Sequence, residues 1–232
     1  LVEDQYMFGG ELLVAPILDE NINYINITLP EGKWTDLFTG KTYKGGSARM
    51  FATPMNVIPV FLRDGAVIKA TVGADFTLFG EQNTAKYEAI VAAPSTEKRT
   101  ATHYTDSKEY KFTNKPVGED GFTLTNDSKH SAKIVIAAGV TAAGVKVNGK
   151  AVNKLDSKPA NDSAVGYYVD YENRQTTVFT GGNWAEVSVS DSNLTYKNII
   201  TDATVLGKDE VLTAQVESIA DNDPTSIWMV HA

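Results

Sequence analysis

The sequence contains no cysteine, which excludes disulfide staples and thiolate metal sites but fixes no compartment. Its three histidines, His103, His130 and His231, are too scattered to read as a ligand cluster. Basic residues are outnumbered: 21 Lys and Arg stand against 29 Asp and Glu, a formal net charge of −8. An acidic surface opposes a phosphate backbone, which argues against nucleic acid as a partner. No apolar run approaches the roughly 20 residues of a membrane-spanning helix, so no membrane span is expected. Residues 1–30 also lack the basic-then-apolar pattern of a signal peptide. The glycine pairs Gly9-Gly10, Gly45-Gly46 and Gly181-Gly182 have neither the following Lys-Ser/Thr nor the spacing of a phosphate-binding loop.

Helix signals are nearly absent too. Short runs rich in Val, Ile, Thr, Tyr and Phe recur between Gly, Asn, Asp and Pro, the pattern of an all-β protein built of sandwiches. Leu12 to Leu18 reads as a fully buried strand. Ile25, Ile27 and Leu29 share one face of the next, and Ala48, Met50 and Ala52 alternate similarly. Pro30 and Gly32 make a turn before Trp34, Gly40 closes another, and Pro59 belongs at an edge or strand start. Asp64-Gly65 reads as a hairpin turn, with Ala66 to Ile68 as its returning strand. Further strands are expected at 76–79, 86–92, 100–105, 110–113, 122–126, 133–137, 145–147, 150–152, 167–171, 176–179 and 184–189. Asn148-Gly149 is the best hairpin signal, since both residues tolerate the positive φ of a type I′ turn. Asp191 to Asn198 reads as a polar linker.

Three stretches also carry a resemblance. Asp4-Gln5-Tyr6-Met7-Phe8-Gly9 with Leu12 to Leu18, then Leu29 to Gly40, then Ile58 to Ile68 resemble, in order and spacing, the segment that follows the catalytic barrel in glycoside hydrolase family 31. That family contains α-glucosidases, α-xylosidases and α-transglycosylases. His103 to Tyr110 resembles a turn of its distal sandwich, without the second Asp and the Gly. The resemblance implies two consecutive antiparallel β-sandwich domains. Residues 1–9 would end the barrel region, 10–70 form the proximal sandwich, 71–192 the distal one, and 193–232 a linker and the start of another module. Because the pattern is entered at Leu1, the chain is expected to be a fragment or processed product. Its expected partners are the upstream barrel of the same polypeptide and, through it, an oligo- or polysaccharide. A bacterial, extracellular or cell-surface setting is expected.

A retaining glycosidase needs two carboxyl groups roughly 5–5.5 Å apart. The family's nucleophile motif, W-x-D-M-N-E, does not occur. Trp34-Thr35-Asp36 shares its first three letters, but Leu37-Phe38-Thr39 follow. Asp36 is accordingly read as a turn or edge carboxylate rather than a nucleophile. No catalytic, cofactor-binding or metal-binding residue is assigned, and no cofactor. Both catalytic residues would lie upstream, leaving this chain the non-catalytic support of a parent acting on α-linked glucosyl or xylosyl units.

The other polar features have ordinary readings. Asp19-Glu20 and Glu119-Asp120 read as solvated turn charges, and His103 and His130 as exposed. The glycan-acceptor triplets at Asn26, Asn126, Asn161 and Asn193 read as chance. Trp34, Trp184, Tyr167, Tyr168 and Tyr171 could form a sugar-stacking platform, but both tryptophans read as core, and Tyr168 stays unassigned. A carbohydrate-binding module and a surface spacer are the alternatives to the support reading.

The tail differs. Ala203-Thr204-Val205, Leu212-Thr213-Ala214 and Ile219 to Trp228 resemble the opening of a factor V/VIII type C (discoidin-like) module. By that resemblance Asp221, Asp223 and Ser226 would be calcium-ligand candidates, set against an Asp/Asn-rich turn with no metal.

Overall fold

The computed structural model describes residues 4–18, 22–52, 57–73, 76, 86–105, 107–118 and 121–191. All lie within one compact unit, Leu1–Asp191. The described residues form strands and no helix. Those of the first part are β1 (Tyr6–Phe8), β2 (Leu12–Val14), β3 (Tyr24–Leu29), β4 (Lys33–Asp36), β5 (Thr42–Lys44), β6 (Ser47–Ala52) and β7 (Val60–Arg63). They make an antiparallel sheet of order β1-β2-β7-β4-β5, covered on one face by the ribbon β3-β6. Between ribbon and sheet sit Leu13, Ala15, Ile27, Leu29, Trp34, Phe51 and Phe61. Trp34 is 1% exposed, and its indole N–H donates to the Pro30 carbonyl at 2.8 Å.

The strands that follow are β8 (Val67–Val72), β9 (Tyr87–Ala92), β10 (Arg99–Thr105), β11 (Lys108–Val117), β12 (Gly121–Asn126), β13 (Ile134–Ala138), β14 (Ala142–Val147), β15 (Lys150–Val152), β16 (Val165–Asp170), β17 (Gln175–Thr180) and β18 (Glu186–Asp191). They form a distal sandwich. One sheet has the order β10-β11-β12-β18-β14-β15, the other β16-β17-β13-β9-β8. Within the second, β13 and β9 run parallel.

The central strands of that second sheet, β13 and β9, are buried on both faces. Val135, Ala137, Ile90 and Ala92 point into the distal core with Phe112, Phe122 and Trp184. Their neighbours Ile134, Ile136, Ala138, Ala89 and Val91 point the other way, against Leu37, Leu62, Leu12 and Val60 of the proximal sheet. Strands buried on both faces are apolar at every position, which is why Ile134 to Ala138 shows no alternation. The proximal sheet divides its side chains in the same manner: Leu13 and Phe61 toward the ribbon, Leu12 and Leu62 toward the distal sandwich.

Three local expectations change. Leu12 to Leu18 is not one buried strand: β2 ends at Val14, Ala15 is buried, and Leu18 is exposed. In β6 the buried side chain is Phe51 and not Met50, because Phe51 pairs with Ile25, in phase with the inward residues of β3. Asp64-Gly65 turns the chain without making a hairpin. The Ala66 N–H bonds back to the Arg63 carbonyl at 2.9 Å, yet β7 pairs with β2 and β4 while β8 pairs with β9. Positive φ falls on Gly65 alone (+66°), as in a type II turn, which splays the flanking strands instead of pairing them. The chain thus passes from proximal sheet to distal sheet at this turn. Asn148-Gly149 is the contrast: both φ are positive, 50° and 76°, and β14 pairs with β15.

Phe76 has φ 56°, with its N–H on the Gly73 carbonyl. The remainder of the strand expected at 76–79 lies outside the described residues, as does the linker expected from Asp191 onward, apart from the Asp191 backbone, which ends β18.

Candidate functional site: the β1 face and its clamp

Asp36 behaves as a turn carboxylate. Its Oδ1 accepts the N–H groups of Phe38 (2.8 Å) and Thr39 (3.0 Å), and its own carbonyl accepts from Gly40 at 3.0 Å. Two backbone bonds fix it as the cap of the β4–β5 turn.

The aromatics of the possible sugar platform are not brought together. Trp34 fills the proximal core, whereas Trp184 and Tyr167 fill the distal one. The Trp184 indole N–H donates to the Ala132 carbonyl at 2.7 Å. Tyr168 faces the proximal side, half-buried, with the Lys158 ammonium 5.6 Å from its ring centre. Tyr171 is exposed, and its hydroxyl accepts from Lys154 at 2.9 Å. That contact holds the Lys154 ammonium above its ordinary pKa.

The histidines separate. His103 is half-buried, with Nε2 2.8 Å from the Val67 carbonyl. His130 departs from expectation: it is buried, its backbone N–H is held by Asn126 Oδ1 at 2.7 Å, and its ring lies edge-on to Tyr110. Burial pushes its pKa down, against a weaker upward pull from Glu88. Of the glycan-acceptor asparagines, Asn26 is exposed and Asn126 buried, while Asn161 Oδ1 accepts the Ser163 N–H. Asp19, Glu20, Glu119, Asp120, Asn193, Asp221, Asp223, Ser226 and His231 lie outside the described residues.

What stands out is β1. Tyr6, Met7 and Phe8 are 52%, 41% and 65% exposed, although strand register places them in rows with core residues. Tyr6 pairs with Val14 and Phe8 with Leu12; Val14 and Leu12 pair in turn with Val60 and Leu62. Paired residues share a face, so Tyr6 and Phe8 continue the apolar surface that buries Leu12 and Leu62, at a sheet edge where among the described residues no further strand pairs. Just before this strand, the Gln5 amide imitates a backbone unit: Nε2 donates to the Thr28 carbonyl at 2.7 Å and Oε1 accepts its N–H at 2.8 Å.

The turn after β1 is clamped to the distal sandwich. Arg99 Nη2 of β10 meets Glu11 Oε1 at 2.6 Å, and Nη1 donates to the Asp64 carbonyl at 3.1 Å. Glu11 Oε2 accepts the Val67 N–H at 3.2 Å. The Asp64 carboxylate in turn accepts from the Thr96 N–H at 3.0 Å. The clamp that Glu11, Asp64 and Arg99 form escapes sequence reading, because 88 positions separate Arg99 from Glu11 and no local pattern links them.

Comparison with known proteins fits this geometry. Residues 1–68 match the glycosyl hydrolase family 31 C-terminal domain. An alpha-glucosidase of Saccharolobus solfataricus is 30% identical over 129 residues, 55% of this chain and 18% of that protein. A 1,6-alpha-glucosyltransferase of Sporosarcina globispora is 25% identical over 207 residues, 84% of this chain and 16% of that protein. The chain thus spans less than a fifth of the length of these relatives. A cycloalternan-forming enzyme from Listeria monocytogenes, solved with a pentasaccharide substrate, shares the fold with a TM-score of 0.66 at 24% identity, over 80% of this chain and 19% of that one. Residues 1–68 are thus similar to the glycosyl hydrolase family 31 C-terminal domain, and the described strands share the fold of the solved cycloalternan-forming enzyme.

Proposed function

We propose that this chain is the non-catalytic support of a retaining α-glycoside hydrolase or transglycosylase whose barrel precedes it in the same polypeptide. The observation that carries the reading is β1: an apolar strand, exposed at Tyr6, Met7 and Phe8 and fastened to the sandwiches behind it through Glu11 and Arg99. Such a strand presents a rigid apolar edge for a barrel to cover. The parent then acts on α-linked glucosyl or xylosyl units with carboxylates from the barrel. The carbohydrate-module reading is weaker, because Trp34 and Trp184 are spent on cores.

The tail belongs to the same proposal. Residues 203–228 belong to a discoidin-like module, the parent is secreted or surface-attached, and Asp221, Asp223 and Ser226 are calcium ligands only when that module is whole. Calorimetric titration of this chain with calcium should give no micromolar binding; such binding would show a site already complete within these residues.

Activity is tested directly. The chain alone should not turn over aryl α-glucosides. Turnover that survives repurification and vanishes in Asp36→Asn would overturn the support reading.

A further inference from the structure

The connection from β12 to β13 is one of the crossings between the two sheets of the distal sandwich, and side chains hold most of it. Asn126 Nδ2 donates to the carbonyls of His130 (2.9 Å) and Trp184 (3.2 Å). Thr113 Oγ1 donates to the Asp127 carboxylate at 2.6 Å, and Ser128 Oγ accepts the Lys111 N–H at 3.0 Å. At the centre is the His130 imidazole, 4% exposed, with its ring centre 4.5 Å from Tyr110 and 5.8 Å from Phe112.

Its protonation state follows from its partners. Nδ1 accepts the Ala132 N–H at 3.1 Å, so Nδ1 carries no proton and Nε2 carries the ring hydrogen. Nε2 points toward Glu88 Oε2 at 3.6 Å. A second proton has only Nδ1 to go to. There it would meet the Ala132 N–H head-on, orphan that buried donor and place a cation in a closed site. The surrounding charges do not compensate. Glu88 of β9 favours the cation but is already paired with Lys69 of β8 at 2.6 Å. Lys69 and His103 of β10 oppose it, and Tyr110 of β11 offers a ring edge.

We propose that His130 is an acid-release latch of the distal sandwich: as neutral imidazole it locks the β12–β13 crossover against β9 and β11, and its protonation frees that crossover. The open chain binds this proton more tightly than the folded site, with an unfolded histidine titrating at about 6.5. Stability is therefore full above that pH. It falls as pH drops below it, until the folded site is itself protonated.

The test uses the whole chain, with NMR of its histidine rings and backbone amides between about pH 8 and 4.5 and urea unfolding over the same range. His130 should keep its hydrogen on Nε2 and titrate below about 6.5. The Ala132 amide should lose about tenfold or more of its exchange protection relative to Ile136 as it does so. The unfolding constant should rise by up to about tenfold per pH unit within the window, the effect of one proton. His130→Asn keeps an acceptor for the Ala132 N–H but takes no proton, so it should remove that one-proton slope. A His130 that titrates at or above the free value, an Ala132 amide indifferent to it, or an unchanged slope in His130→Asn would each overturn the latch. If His130→Asn fails to fold, the ring and amide titrations of the unaltered protein decide alone.

Discussion

Arg99 Nη2 lies 2.6 Å from the Glu11 carboxylate, and this one ion pair joins the edge strand of the distal sandwich to the turn behind β1. Both side chains are largely buried, 25% and 18% exposed, and each has a backbone partner as well. Removing Arg99 leaves a largely buried carboxylate with one N–H. Arg99→Ala should cost about 1–3 kcal/mol. A double-mutant cycle with Glu11→Gln should return a coupling of about 1 kcal/mol or more, read from urea midpoints. Additive effects would show that the pair is incidental.

The two sandwiches also meet at Gly40. Its φ is +63°, and a Cβ there would sit 2.5 Å from the Asn173 carbonyl oxygen and 2.7 Å from Arg174 Cβ. Gly40→Ala therefore combines backbone strain with overpacking at the junction, where Gln175 Nε2 also donates to the Leu37 carbonyl at 2.9 Å. A loss of about 1–4 kcal/mol is expected. Gly149→Ala has a positive φ (+76°) but nothing within 4 Å of the added Cβ, and should cost less. Equal melting of the two variants would show that the junction yields to the methyl group.

Much of this arrangement was legible in the sequence. The odd-numbered inward face of β3, the burial of Trp34 and the Asn148-Gly149 hairpin follow from periodicity, size and turn chemistry. Layering was not legible. Ile134 to Ala138 and Leu12 to Val14 are both short apolar runs, and only the stacking of sheets decides how much of each is covered. The Asp64-Gly65 turn shows a second limit. The same dipeptide serves a hairpin or a crossing between sheets, depending on whether the first residue also takes positive φ. His130 shows a third: polar neighbours in sequence gave no sign of the pocket that Tyr110, Phe112 and the Ala132 N–H build around it.

Trp34 tests the proximal core. Phe51 and Phe61 pack edge-to-face at 5.0 Å in the same cluster, so truncation leaves a cavity that rigid neighbours cannot fill. Trp34→Ala should destabilise by roughly 3–5 kcal/mol. Trp34→Phe, which keeps a smaller aromatic ring but leaves the Pro30 carbonyl without its donor, should cost about half as much. Near-native melting of Trp34→Ala would mean that the ribbon is not a cooperative part of the fold.

The last prediction concerns the uncovered strand. In the isolated chain Tyr6 and Phe8 continue a core-facing row beyond the last strand that covers it, and β1 itself carries no charged residue. An edge strand without Lys, Pro or bulge invites pairing with another chain. The outer strand of the opposite edge, β5, ends on Lys44, and β15 begins with Lys150; each carries a charge that discourages pairing. The isolated chain should therefore self-associate in sedimentation experiments as concentration rises. Tyr6→Ser with Phe8→Ser should shift it toward monomer without lowering its melting temperature, because both side chains are exposed. Met7→Lys, which sets a charge on the same edge, should do the same. A chain that stays monomeric at high concentration, with β1 amides protected from exchange, would show that this edge is closed by the chain itself and needs no barrel to cover it.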